Sequence, residues 1–244
     1  MIELLSMEFK KYKRSGIYLS LILGTLGLLT VVFLIFAFNK DQLSMGRMYD
    51  FRGVNLVSYK AITEFLTPII AAFLIAYFIS FEYKNKTIKN MLASSYSRWQ
   101  ILTAKFLFVF IIVFLFNLTV FLGCVPISML LGINIDMEVF KNYFNYNCYW
   151  SPISLCVIPI TACLTLLIKS FAVPFTISAL MITLNKPLGM LQDGIFSPWT
   201  LSNKAQYAIE AGNFPGKPLY VLLGYCAVFF LLSFVYFEKS DQHA

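Results

Sequence analysis

The chain has 244 residues, of which 59% are hydrophobic and 13% charged, and its mean hydropathy is +0.75. Soluble domains run at about 45–50% apolar and about 25% charged, so a soluble fold is excluded and an all-α polytopic membrane protein is expected. The net charge of +7 sits beside apolar runs, where the positive-inside bias and anionic headgroups account for it, so a lipid bilayer and no nucleic acid is the expected partner.

The apolar runs nearly fill the chain, and 1–244 reads as a single transmembrane domain. Residues 1–16 place Ile2, Leu5, Phe9 and Tyr12 at spacings of three and four, with Lys10, Lys11, Lys13 and Arg14 crowded at the far end. This predicts an amphipathic interfacial helix lying in the headgroup plane, the alternative being a plain topogenic flank. The first span, 17–38, is long enough for a hydrocarbon core of ~30 Å. It follows charges, as a secretory leader does, but lacks a small-x-small cleavage site, so a retained anchor is expected.

Residues 39–60 read as a polar loop carrying Met45, Met48, Phe51 and Leu56, with room for a surface helix. The second span covers 61–81, with Glu64 and Pro68 near its start. Residues 82–97 are a charged island. In it Thr87 caps a short helix whose Ile88, Met91 and Leu92 form one apolar face, with Lys84, Lys86 and Lys89 around it. Two helical turns are marginal alone, so this helix needs a partner, either the membrane surface or another protein. A solvated basic loop is the plain alternative.

The third span, 98–132, opens on Ser97-Arg98-Trp99-Gln100, a capping box. It carries Asn117 in mid-run and Pro126 near its end, and tilt or a break at Pro126 would absorb its excess length. A loop at 133–148, a fourth span at 149–168 and a fifth at 171–191 follow, the last two separated by a tight turn at Lys169-Ser170. An extracellular segment at 192–217 leads to the sixth span, 218–237. Six transmembrane helices put both termini on one side. The N-terminus, the 82–105 region, Lys169 and the tail hold eleven Lys and Arg against eight in the opposite loops, so both termini are expected to be cytoplasmic in the cell membrane.

Catalytic chemistry is missing. No phosphate-cradling G-x-x-x-x-G-K-[ST] occurs, and the sole histidine is His243, next to last. The five cysteines form no Cys-x-x-Cys pair and read as small buried hydrophobes. No catalytic residue, metal site or cofactor is expected in this chain. A proton-driven carrier needs an intramembrane carboxylate or histidine, for which Glu64 is the candidate. Glu64 could equally contact a cationic peptide or rest at headgroup level. Asn117 could bond across an interface between two permeases or be satisfied locally.

Glu82, Thr87-Ile88-Lys89, Leu92, Ser97-Arg98, Ile101-Leu102 and Lys105 together resemble the segment after the second span in ABC-2 type permeases. Lys86 and Tyr96 depart from that pattern, standing where Gly and Pro are usual. The size of the chain is similar to that of permeases of the lantibiotic-immunity and bacitracin-resistance type. The resemblance implies the membrane subunit of an exporter, with ATP and Mg bound by a separate ATPase, present in two copies. It implies a second permease, identical or a sister chain, and an amphipathic substrate such as an antimicrobial peptide. Contact with the ATPase would fall on the opening helix and on Glu82, Tyr83, Lys84, Lys86, Thr87, Ile88, Lys89, Met91 and Leu92. A secondary carrier, and a scaffold or sensor that binds a cytoplasmic partner through the basic loop, are the other classes the residues allow.

Overall fold

Every regular element among the described residues is a helix. The computed structural model describes residues 2–13, 16–46, 48–85, 96–185, 187, 197–210 and 216–239. In chain order these hold α1 (Ile2–Tyr12), α2 (Ile17–Phe38), α3 (Lys40–Met45) and α4 (Phe51–Ala61). A π-helical stretch, Ile62–Leu66, leads into α5 (Thr67–Lys84). Then come α6 (Arg98–Leu130), α7 (Met137–Leu155), α8 (Ile158–Ile168), α9 (Ala172–Thr183), α10 (Pro198–Glu210) and α11 (Gly216–Lys239). Five stretches are long and apolar enough to cross a membrane: Ile17–Phe38, Phe51–Lys84, Arg98–Leu130, Met137–Ile168 and Gly216–Glu238. The chain is therefore an all-α polytopic membrane protein.

Helix starts follow from side-chain capping. Ser97 closes the predicted box on α6: its Oγ accepts from the Gln100 amide at 3.4 Å and its own amide donates to Gln100 Oε1 at 3.0 Å, satisfying two otherwise orphaned donors. Two stretches expected as loops are helical because an aspartate caps each. Asp50 Oδ1 accepts from the Gly53 amide at 2.6 Å and starts α4 inside the expected 39–60 loop. Asp136 Oδ1 accepts from the Glu138 amide at 2.9 Å and starts α7 inside the expected 133–148 loop. Gly53 is obligatory, since a Cβ there would lie 1.9 Å from the Met48 carbonyl oxygen.

The second span is accordingly longer than expected, Phe51–Lys84 running as 34 residues. Its π turn precedes Pro68, which has no N–H to return to the preceding turn. Of the two ways to absorb the excess length, tilt or a break at Pro126, the break is absent: α6 runs 33 residues through it, and Ser128 Oγ donates to the Cys124 carbonyl at 2.8 Å. Of the expected fifth span, 171–191, the described residues hold the 12-residue α9, about 18 Å long, while 186 and 188–191 lie outside the described residues. Within 192–217, α10 buries Trp199 and Leu201 in a core shared with Val157, Ile160, Ile182 and Leu222.

Helix α5 is central, packed against α6, α8 and α9. The most apolar windows of Phe51–Lys84 and Met137–Ile168 are 65% buried, against 11% for α2 and 17% for α11, so α2 and α11 are the peripheral spans of the chain. The main core joins Leu74, Ile75, Phe78 and Ile79 of α5 to Ile101, Leu102, Phe108 and Val109 of α6 and to Ala162 and Leu166 of α8. One end of the bundle gathers α1, the end of α5, the start of α6, the α8–α9 turn and the end of α11. Lys169 Nζ lies 5.8 Å from the Tyr83 ring, and Arg98 Nη1 donates to the Glu238 carbonyl at 2.6 Å. Trp99 stacks on Phe234 at 3.6 Å.

Candidate functional site

At that end α1 packs on α5 and α6. Its buried residues are Leu4, Glu8 and Tyr12, a face rotated from the expected Ile2, Leu5, Phe9 and Tyr12. Ile2 is 84% exposed, Leu5 is half-buried, and Lys10 and Lys13 are exposed. Phe9, at the edge of exposure, still meets the Phe108 ring edge-on at 4.7 Å. The rotation has an electrostatic cause: it turns Glu8 inward onto a buried ammonium.

That ammonium is Lys105, seven residues into α6 and 1% exposed. Its Nζ donates to Glu8 Oε1 at 2.9 Å and also to Glu82 Oε1. Glu82, 1% exposed, accepts as well from Lys11 Nζ. Among the described residues, two carboxylates and two ammonium groups thus form one cluster joining α1, α5 and α6. Buried charge is tolerated because each group is paired. Glu8 Oε2 has no hydrogen-bond partner.

Aromatic packing reinforces the cluster. The Tyr12 ring sits 4.1 Å from Phe78 and 5.8 Å from Phe108, and its hydroxyl donates to the Phe78 carbonyl at 3.5 Å. Burial, and then the negative charge of Glu82 and Glu8, push the Tyr12 phenol far above its ordinary range, so it stays a neutral donor. At the other end of α1 the Tyr96 hydroxyl donates to Glu3 Oε2 at 2.9 Å, and this bond raises the Tyr96 pKa. Helix α1 is therefore fastened to both stems of the turn between α5 and α6, at Glu82 on one side and at Tyr96 and Lys105 on the other.

Among the other expected residues, Tyr83 is half-buried and Lys84 exposed at the end of α5. Arg14, Lys86, Thr87, Ile88, Lys89, Met91 and Leu92 lie outside the described residues. Glu64 is buried in the π turn, 5% exposed. Asn117 lies within the bundle, where Thr67 Oγ1 donates to its Oδ1 at 2.7 Å and Asn147 Nδ2 to its carbonyl at 3.2 Å, so it links α5, α6 and α7 of one chain. Glu8 was invisible to a search for apolar periodicity. Lys105 did carry a signal, because a lysine well inside an apolar run marks a functional or paired site.

The family model described as ABC-2 family transporter protein matches residues 4–185. The chain belongs to the ABC-2 transporter family. The matched region contains Glu8, Lys11, Glu82 and Lys105, so the whole cluster lies within this ABC-2 chain's family domain. No curated protein and no solved structure matches it. As an ABC-2 protein it is the membrane permease component of an ABC transporter, a multi-pass subunit of a kind generally non-catalytic itself and generally partnered by an ABC ATPase and by the lipid bilayer.

Proposed function

We propose that this permease couples ATP hydrolysis by a separate ATPase to export of an amphipathic substrate, through α1 and the turn between α5 and α6. The observation that carries this reading is the double fastening of α1 to both stems of that turn, by Lys11–Glu82–Lys105–Glu8 and by Tyr96–Glu3. A force applied at the turn reaches α1, α5 and α6 together, since a charge cluster buried in packed aromatic side chains moves as one body. The composition supports a surface role for this segment: its sequence mixes Lys84, Lys86 and Lys89 with the apolar Ile88, Met91 and Leu92, which suits docking on a protein that presents acidic and apolar groups.

In this arrangement both termini and the 82–97 turn are cytoplasmic, in line with the denser Lys and Arg there. Two ATPase subunits serve a pair of permeases, identical or sister chains. ATP and Mg stay on the ATPase. The substrate class we infer is an antimicrobial peptide, whose expulsion would confer immunity or resistance. The richness of the chain in phenylalanine, twenty-five residues, suits an amphipathic solute.

The test is co-purification. Ile88→Asp should leave the permease inserted at normal levels while lowering recovery of its ATPase about tenfold, as expected when a buried apolar anchor of an interface is replaced by a charge. Equal recovery of the ATPase with both chains would overturn the reading.

A further inference from the structure

The outer face of α5 presents Phe73, Tyr77, Phe81 and Lys84, half-buried or exposed, while the intervening Leu74, Ile75, Phe78, Ile79 and Glu82 are buried. Spacings of three and four put the four on one stripe. Across from it the α8–α9 turn supplies Lys169 and Phe171. Phe171 meets Phe73 edge-on at 5.4 Å and Tyr77 at 6.3 Å. Between them lies an open cleft of about 950 Å³, aromatic along its length and flanked by Lys84 and Lys169 at one end. No carboxylate is among its described lining residues; Glu82 points the other way, into the ion-pair cluster.

The cleft has the dimensions of one lipid leaflet. Phe73 to Lys84 spans about 16 Å along a helix at ~1.5 Å per residue, and half of a hydrocarbon core of ~30 Å is about 15 Å. The cations stand at the end of the bundle that carries α1, where headgroups begin, and the aromatic wall runs toward the bilayer centre. Lys169 is held there by its backbone. It is the one non-glycine residue of positive φ among the described residues, at 53°, and ends α8 with its amide on the Thr165 carbonyl at 2.8 Å. A lysine in the left-handed region is disfavoured where glycine is not, so the side chain has a use that offsets the backbone cost.

We propose that this cleft binds one anionic phospholipid, its phosphate engaged by Lys84 and Lys169 and an acyl chain lying against Phe73, Tyr77 and Phe171. The site does not depend on how α1 meets the ATPase. A zwitterionic headgroup offsets its phosphate with its own ammonium and so gains less from the paired cations, and inorganic phosphate gains nothing from the aromatic wall, so the two halves together select a lipid of net negative charge.

Native mass spectrometry of the full-length permease tests this, with dioleoylphosphatidylglycerol, dioleoylphosphatidylcholine or inorganic phosphate added in turn. The wild-type chain should retain the glycerol lipid about tenfold over the choline lipid and retain no inorganic phosphate. Lys84→Gln with Lys169→Gln should remove that preference, whereas Lys10→Gln, equal in charge change per site but outside the cleft, should keep it. Lys169→Gly relieves the backbone, so it should lose lipid preference without losing thermal stability. Equal retention of the two lipids by the wild type, an unchanged preference in the double variant, or retention of phosphate alone would each overturn the proposal. So would a dimer whose formation expels the lipid, because the cleft would then belong to a second copy.

Discussion

At the residue scale the decisive group is Lys105. It holds two carboxylates at once in a site closed to water, so its removal leaves Glu8 and Glu82 facing each other without the ammonium that bridges them. Breaking a buried pair costs about 3–5 kcal/mol, mostly from the charge left uncompensated. Lys105→Met should therefore lower the thermal midpoint of the detergent-solubilised chain sharply. Adding Glu8→Gln should restore part of the loss, because it removes the carboxylate that Lys105 had paired and leaves Lys11–Glu82 intact. The comparison is a double-mutant cycle, and independent effects of the two substitutions would disprove the network. Gly53 shows a different residue-scale constraint, one of space alone, since only its missing Cβ lets the Met48 carbonyl approach.

At the scale of elements, the starts of α4, α6 and α7 rest on Asp50, Ser97 and Asp136. The cap of α6 also positions Arg98 on the Glu238 carbonyl and Trp99 on Phe234, so it ties the start of α6 to the end of α11. Ser97→Ala should cost about 1 kcal/mol and speed amide hydrogen exchange over residues 98–102 while leaving the middle of α6 protected. Uniform exchange along the helix would show that the box is dispensable. The Ser-x-x-Gln spacing was legible in the sequence because a cap is a local device. Asp50 and Asp136 were equally local, yet the polar residues around them read as loop. The apolar face of α4 becomes visible only once Phe51 and Val54 meet Val32, Phe36, Cys124 and Ile127.

At the scale of the whole molecule, α1 and the end of α11 share one end of the bundle, which the density of Lys and Arg leads us to propose as the cytoplasmic end. Met137 is 68% exposed at the start of α7 and belongs to the opposite end. In a chain freed of its native cysteines, Met137→Cys should react with a membrane-impermeant maleimide on intact cells. Lys13→Cys should react only after permeabilisation. The reverse pattern would invert the topology and remove the turn between α5 and α6 from reach of any cytoplasmic ATPase.

Composition and hydropathy by themselves determined the membrane class and its all-helical character, because a backbone in hydrocarbon has to satisfy its hydrogen bonds within each segment. The turn chemistry between the second and third spans carried the family resemblance for the same local reason. Only the tertiary structure decided which face of α1 is buried. That face is chosen by Glu8 finding Lys105, which lies 97 positions away, and no periodicity within eleven residues of α1 can report a partner so distant in sequence. The cleft between α5 and the α8–α9 turn belongs to the same class of feature. Lys84 and Lys169 become one site through packing alone, since a charge pattern along the chain does not record which helices are neighbours.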